Sequence, residues 1–227
     1  MNWERCGIYW LPGGALGAAG AGWLGWDARR GRTLRSERAD TRTPRRYGFH
    51  MTLKPPFRLR EGKGETELAA AACSLAAAWP PAPLGRLAVR RLGRFLALAP
   101  EDPAPVSRLA AALVEGLDAF RAPPPPEETA RRRATGLSPA QDALLKRWGY
   151  PYVMDEFRPH LTLTGADPGA DAADEAGRIF GPLLARPVTV RAVALVGEDG
   201  LGRFSLIEEI PLQGAASSAA RAAEAAS

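Results

Sequence analysis

The chain contains two histidines, His50 and His160, and both stand in the same local phrase. One reads His-Met-Thr-Leu from residue 50, the other His-Leu-Thr-Leu from residue 160. In a strand, residues two apart share a face. His50, Thr52 and Lys54 therefore line one side of the first segment, with Phe49, Met51 and Leu53 on the other. Arg158, His160, Thr162 and Thr164 line one side of the second, with Leu161 and Leu163 opposite. Each apolar side should pack on a core, and each polar side should face a cleft. Threonine occurs only ten times in 227 residues, so its shared placement two residues after each histidine is a poor match to chance.

Two imidazoles across a cleft suit phosphodiester chemistry. A neutral imidazole can take a proton from an attacking water while an imidazolium opposite protonates the leaving oxygen. The ordinary pKa of histidine fits both jobs. The hydroxyls of Thr52, Thr162 and Thr164 and the cations of Arg158 and Lys54 would hold the non-bridging oxygens. For Arg158 the alternative is an ion pair with Glu156. Tyr47 and Tyr152 precede the two motifs and could contact a sugar or base, though a core role suits each equally. No metal or cofactor is expected, because the two histidines and the two cysteines, Cys6 and Cys73, show no ligand spacing.

The elements that must position these residues follow from periodicity and breakers. Strands are expected at 6–11, at 49–54 (halted by Pro55 and Pro56), at 86–99 as a pair turning near Gly93, at 159–164, and at 187–196 and 202–212. Helices are expected at 65–79, 105–120, 127–148 in two pieces around Pro139, and 171–185. Residues 12–46 read as Gly- and Arg-rich loop with a short helix, and the Ala/Ser-rich tail from Gly214 as disordered or frayed.

The two halves repeat one order: histidine strand, helix, then a strand pair. "GRFLAL" begins at Gly93, 43 residues after His50, and "GRFSLI" begins at Gly202, 42 residues after His160. The expected architecture is an α+β fold with two pseudo-twofold lobes in a single domain over 1–213, largely antiparallel sheets facing a central cleft, and helices outside. "GAGWLG" at 20–25 matches a dinucleotide-binding pattern but does not sit at a strand-to-helix turn, and "RRR" at 131–133 reads as a solvated helix face.

Composition sets the outer bounds. The net charge of +5 favours an anionic partner without demanding nucleic acid. The paucity of cysteine fits a reducing, cytoplasmic compartment, the N-terminus makes a poor signal peptide, and no apolar run is long enough for a membrane span. The oligomeric state stays open.

The motifs "HMTL" at 50–53 and "HLTL" at 160–163 resemble those of the 2H phosphoesterases. The phrases "GIYWLP", "WLGWD", "RYGFHMTLKPPF", "RFLAL", "LLKRWGYPYVMDEFRPHLTLTG" and "GRFSL" are similar to the branch encoded beside phosphonate-degradation genes, with Pro159 standing where an aromatic residue is expected. The resemblance implies the bilobal fold of bacterial RNA ligase–cyclic phosphodiesterases, with His50 and His160 catalytic. It also implies metal-independent opening of a small cyclic phosphate, such as a phosphoribosyl cyclic phosphate. Two alternatives remain: RNA-end processing at 2′,3′-cyclic or 2′,5′ linkages, and non-catalytic binding of a phosphorylated metabolite or nucleotide.

Overall fold

The computed structural model describes residues 3–215, so the expectation for the tail lies almost wholly outside the described residues. In chain order the elements are β1 (Arg5–Trp10), α1 (Gly14–Leu24), β2 (Trp26–Asp27), β3 (Arg32–Thr33), α2 (Arg42–Arg45), β4 (Met51–Phe57), α3 (Glu65–Ala78), β5 (Ala82–Gly85), β6 (Leu87–Leu92) and β7 (Phe95–Pro100). The second half continues with α4 (Ala104–Gly116), α5 (Pro126–Arg133), α6 (Pro139–Trp148), β8 (Leu161–Thr162), α7 (Ala172–Phe180), β9 (Val188–Val190), β10 (Ala192–Glu198) and β11 (Phe204–Pro211). The class is α+β, as expected. No helix among the described residues is long and apolar enough to cross a membrane.

Two antiparallel sheets carry the histidine segments. One has the order β11-β10-β1-β4, the other β6-β7-β8. The two strand pairs foreseen from the repeat are there as β6–β7 and β10–β11, and both turn at a glycine with positive φ, Gly93 and Gly202. The repeat units, however, do not each build their own sheet. The β4 strand after His50 joins β1 and, through it, the β10–β11 hairpin of the second half. The β8 strand after His160 pairs with β7 of the first half, Thr162 opposite Ala97. Each half thus completes the other's sheet.

The apolar faces of both sheets share one core. Ile8, Met51, Leu53, Leu98, Leu161 and Leu163 are all buried in it. Helix α3 adds Leu68, Ala72 and Ala76, four residues apart and so on one stripe, and α4 adds Val106, Leu109 and Leu113.

Several boundaries differ from expectation. Strand β4 does not stop at Pro55 but runs through both prolines to Phe57. It is an edge strand, where a missing N–H need cost no ladder bond, and its pairing to β1 shifts register there. Strand β8 is shorter than expected. Pro159 offers no donor before it, and beyond Thr162 the N–H groups of Leu163 and Thr164 both donate to the Leu96 carbonyl, at 2.8 and 3.2 Å. Within the expected loop of 12–46, α1 forms an 11-residue helix. The "GAGWLG" glycines fall in its C-terminal half, the wrong end for cradling a phosphate, and Gly25 closes the helix at φ 82°. Gly20 lets the Phe49 ring lie against the helix: a Cβ there would sit 2.0 Å from a ring carbon.

Candidate active site

A turn sets up the first histidine. Gly48, at φ 73° and too close to Ala28 for a Cβ, bends the chain so that its own carbonyl accepts a hydrogen bond from His50 Nδ1 at 2.9 Å. A carbonyl can only accept, so Nδ1 carries the hydrogen and the neutral ring presents a bare Nε2. Thr52 Oγ1 lies 3.0 Å from that Nε2 and donates to it. On the ring's flat side Tyr9 stacks at 4.0 Å between centroids and 25° between planes.

The second histidine uses the same device. Its Nδ1 donates to the Arg158 carbonyl at 2.6 Å, again two residues upstream. The Phe95 ring lies 5.5 Å away. In both motifs the backbone fixes the tautomer and directs Nε2 away from the main chain.

A cleft of about 630 Å³ receives both rings. Tyr9 and Thr52 line it from the first sheet, with Tyr47 and His50 in the turn that leads into β4, and Phe95 and Thr162 line it from the second, with His160 just before β8. Burial pushes the His50 pKa down to about 4, and the nearby His160 pushes in the same direction. Burial also lowers the pKa of His160. Both imidazoles are therefore neutral near pH 7, and a bound anion would draw their pKa values back up.

Of the residues singled out from the sequence, His50, Thr52, His160, Thr162, Arg158, Tyr47 and Tyr152 line this cleft. Arg158 makes no pair with Glu156, whose carboxylate accepts from Gln141 at 2.8 Å. Lys54 and Thr164 are not brought to it. The register shift in β4 turns Lys54 into the protein, where Nζ donates at 3.0 Å to the Val114 carbonyl in the last turn of α4. That carbonyl lacks a helical partner, and the lysine supplies one. Thr164 is buried, and its hydroxyl accepts from the Leu96 N–H at 3.0 Å, continuing the ladder that β8 leaves off.

The cleft also holds residues the sequence did not single out: Tyr9, Arg5, Arg132, Gln141 and Tyr150. Arg5, Gly7 and Tyr9 alternate on β1, so period two was the available signal, masked by an otherwise apolar run. Arg132 belongs to the arginine run read as solvated. It instead lies over the Tyr150 ring, 4.5 Å from the centroid, and against the cleft.

A family described as "Protein of unknown function (DUF1045)" matches residues 52–205. The chain belongs to this family. It is 40% identical over 183 residues to a Janthinobacterium sp. (strain Marseille) protein named ribose 1,5-bisphosphate phosphokinase PhnN, covering 77% of this chain and 40% of that protein. A protein of the same name from Laribacter hongkongensis (strain HLHK9) is 36% identical over 161 residues, covering 67% and 37%. The chain thus spans about two-fifths of the length of these curated relatives. Among solved structures, TT0787 of Thermus thermophilus aligns with a TM-score of 0.47 and 19% identity, covering 93% of this chain and all of that one. E. coli LigT in complex with NADP+ aligns with a TM-score of 0.45 and 16% identity, covering 93% and 99%.

Proposed function

We propose that this protein is a phosphoesterase that opens a small cyclic phosphodiester, a sugar cyclic phosphate, by two-histidine acid–base catalysis. The observation that carries the reading is the matched pair of imidazoles. Each commits Nδ1 to a carbonyl two residues upstream, and both line one cleft.

The more enclosed ring, His50, is the base. Its Nε2 takes a proton from water as the water oxygen attacks phosphorus. Thr52, already 3.0 Å from that nitrogen, moves its hydroxyl hydrogen bond to a non-bridging oxygen, and Thr162 does the same from the second sheet. His160 is the acid. The substrate's negative charge favours its protonated form, and Nε2–H delivers that proton to the leaving oxygen as the phosphorus–oxygen bond breaks. A phosphate monoester and a free hydroxyl result, and proton exchange with solvent restores the pair. Arg158, exposed at the rim, offsets the developing charge. Tyr47 and Tyr152 wall the sugar.

The relatives' names support a sugar phosphate. Both are named for ribose 1,5-bisphosphate, and opening a phosphoribosyl 1,2-cyclic phosphate at the 2-oxygen would leave a phosphate on carbon 1.

Phosphorus NMR of the protein in EDTA tests the reading. The panel holds a phosphoribosyl 1,2-cyclic phosphate, nucleoside 2′,3′-cyclic phosphates and a short RNA with a cyclic end. Ring opening by wild type, reduced by roughly 10²–10⁴-fold in both His50→Ala and His160→Ala, is the expected result. Opening that survives either substitution, or that EDTA abolishes, overturns the mechanism. Turnover of the RNA alone overturns the substrate class.

A further inference from the structure

The cleft carries an acid among its cations. Of the described residues that line it, Glu156 is the sole carboxylate. Two of the arginines beside the cleft are already engaged, Arg5 with Glu198 and Arg132 with Glu128. Among the described residues no cation pairs with Glu156, and its one side-chain partner is the neutral amide of Gln141. A carboxylate repels phosphate, so its presence in this cleft calls for a different partner.

A chain of hydrogen bonds holds the acid in place. Ser138 and Gln141 form a capping box at the start of α6. The Gln141 N–H donates to Ser138 Oγ at 3.1 Å, and the Ser138 N–H donates to Gln141 Oε1 at 3.0 Å. With Oε1 so engaged, the Gln141 amide has its NH2 left to give, and Nε2 donates to Glu156 Oε2 at 2.8 Å. Glu156 closes the short 3-10 turn Met154–Glu156, four residues before His160. Met154 opens that turn at φ 52°, a left-handed conformation uncommon outside glycine. One segment thus delivers both the acid and the second histidine. Glu156 is half-buried, and its Oε1 receives no hydrogen bond among the described residues, yet is not sealed from solvent.

An ionised carboxylate can only accept hydrogen bonds. What meets Oε1 must therefore bring a hydrogen, and the oxygens of an ionised phosphodiester bring none. A sugar hydroxyl does, and its bond to a carboxylate is charge-assisted. A ligand without that hydroxyl would leave a half-buried charge unpaired, which is how a polar site rejects a near-isostere more strongly than an apolar pocket can.

We infer that Glu156 is a specificity-determining residue, whose Oε1 accepts a hydrogen bond from a free ring hydroxyl of the sugar beside the cyclic phosphate. This rests on the two-histidine reading and narrows its substrate class. Sugar cyclic phosphates that keep a ring hydroxyl belong to it, and their deoxy counterparts do not.

Ribose 1,2-cyclic phosphate and its 3-deoxy counterpart are the probes. Calorimetric titration of His160→Ala, which the mechanism leaves inactive, reads recognition without turnover. The parent should bind roughly ten- to a hundredfold more tightly than the deoxy compound. Equal binding, or no binding of either, overturns the assignment. Adding Glu156→Gln ties the preference to this residue. Gln141 can only donate there, so a glutamine at 156 must turn its own carbonyl oxygen to Gln141 and its NH2 to the cleft. The preference should then shrink to about threefold or less, because a neutral amide left unpaired costs less than a carboxylate. A preference undiminished in a variant folded by circular dichroism overturns the role of Glu156. Wild-type kinetics on the same pair complete the test. If the parent is preferred in binding through Glu156 but wild type opens neither compound, the two-histidine function fails and the hydroxyl site stands.

Discussion

Tyr9 and His50 lie face to face, 4.0 Å between ring centroids and 25° between planes, on neighbouring strands where Tyr9 pairs with Thr52. The contact holds the imidazole on its flat side while Gly48 holds Nδ1. Tyr9 is buried and packs in turn against Phe204, which stacks on Tyr47. The aromatic layer on this face of the sheet is thus the backing of the proposed base. Tyr9 is a positioning residue: its ring sets where Nε2 points.

Tyr9→Leu should lower kcat for cyclic phosphate opening by on the order of tenfold with KM little changed, since a misdirected base weakens the transition state more than ground-state binding. Tyr9→Phe keeps the ring and should keep kcat within about twofold of wild type. Steady-state kinetics of the two variants check this. Equal losses in both would assign the effect to the hydroxyl instead.

His50 makes stability depend on pH. Its folded pKa is about 4, against an unfolded value near 6.5, so between these the unfolded chain binds the extra proton. The folded state keeps its full margin above pH 6.5 and loses roughly 3 kcal/mol as the pH falls through this window. His50→Gln removes that proton uptake. Urea unfolding at pH 7 and pH 4.5 should show a smaller drop for the variant than for wild type, and identical drops would contradict the enclosed neutral ring.

If His160 is the proton donor, its importance depends on the leaving group. An alkoxide needs protonation as it departs, whereas a nitrophenolate does not. His160→Ala should therefore lose far less activity on an aryl phosphodiester than on a sugar cyclic phosphate. His50→Ala should lose similar activity on both. The reverse pattern would exchange the two roles.

The sequence was most legible where one residue type had one job. His50, His160 and their threonines share a face by period two alone, and the two strand pairs turn at Gly93 and Gly202, as the matched offsets indicated. Long-range pairing was not legible. Nothing in the local pattern of residues 50–57 says that β4 joins a sheet whose hairpin lies some 140 residues later. Nor does alternation survive a bulge, and so Lys54, two residues beyond Thr52, turns to α4 instead of the cleft. Arg5 and Arg132 were hidden for another reason. An arginine's role depends on which carboxylate fixes it: Glu198 meets Arg5 only in three dimensions, whereas Glu128 stands four residues before Arg132 on α5, a pair that helical spacing offered, and only the fold shows the cleft beside it.

Lys54 supplies a test of that turn. It is buried, and burial lowers its pKa to about 8, while the ordinary unfolded value is near 10.5. The folded state therefore releases the proton first as pH rises, and stability increases between pH 8 and 10.5 by at most roughly 3 kcal/mol. Lys54→Met has no such group, so its stability should not follow that rise. The difference between wild type and variant, measured by urea unfolding at pH 7.5 and pH 9.5, isolates this lysine from other groups that titrate in the range. At the same time KM for the cyclic phosphate should stay within about twofold, because the ammonium serves the α4 carboxyl end at Val114 rather than the substrate. A large rise in KM with an unchanged stability profile would return Lys54 to the phosphate site.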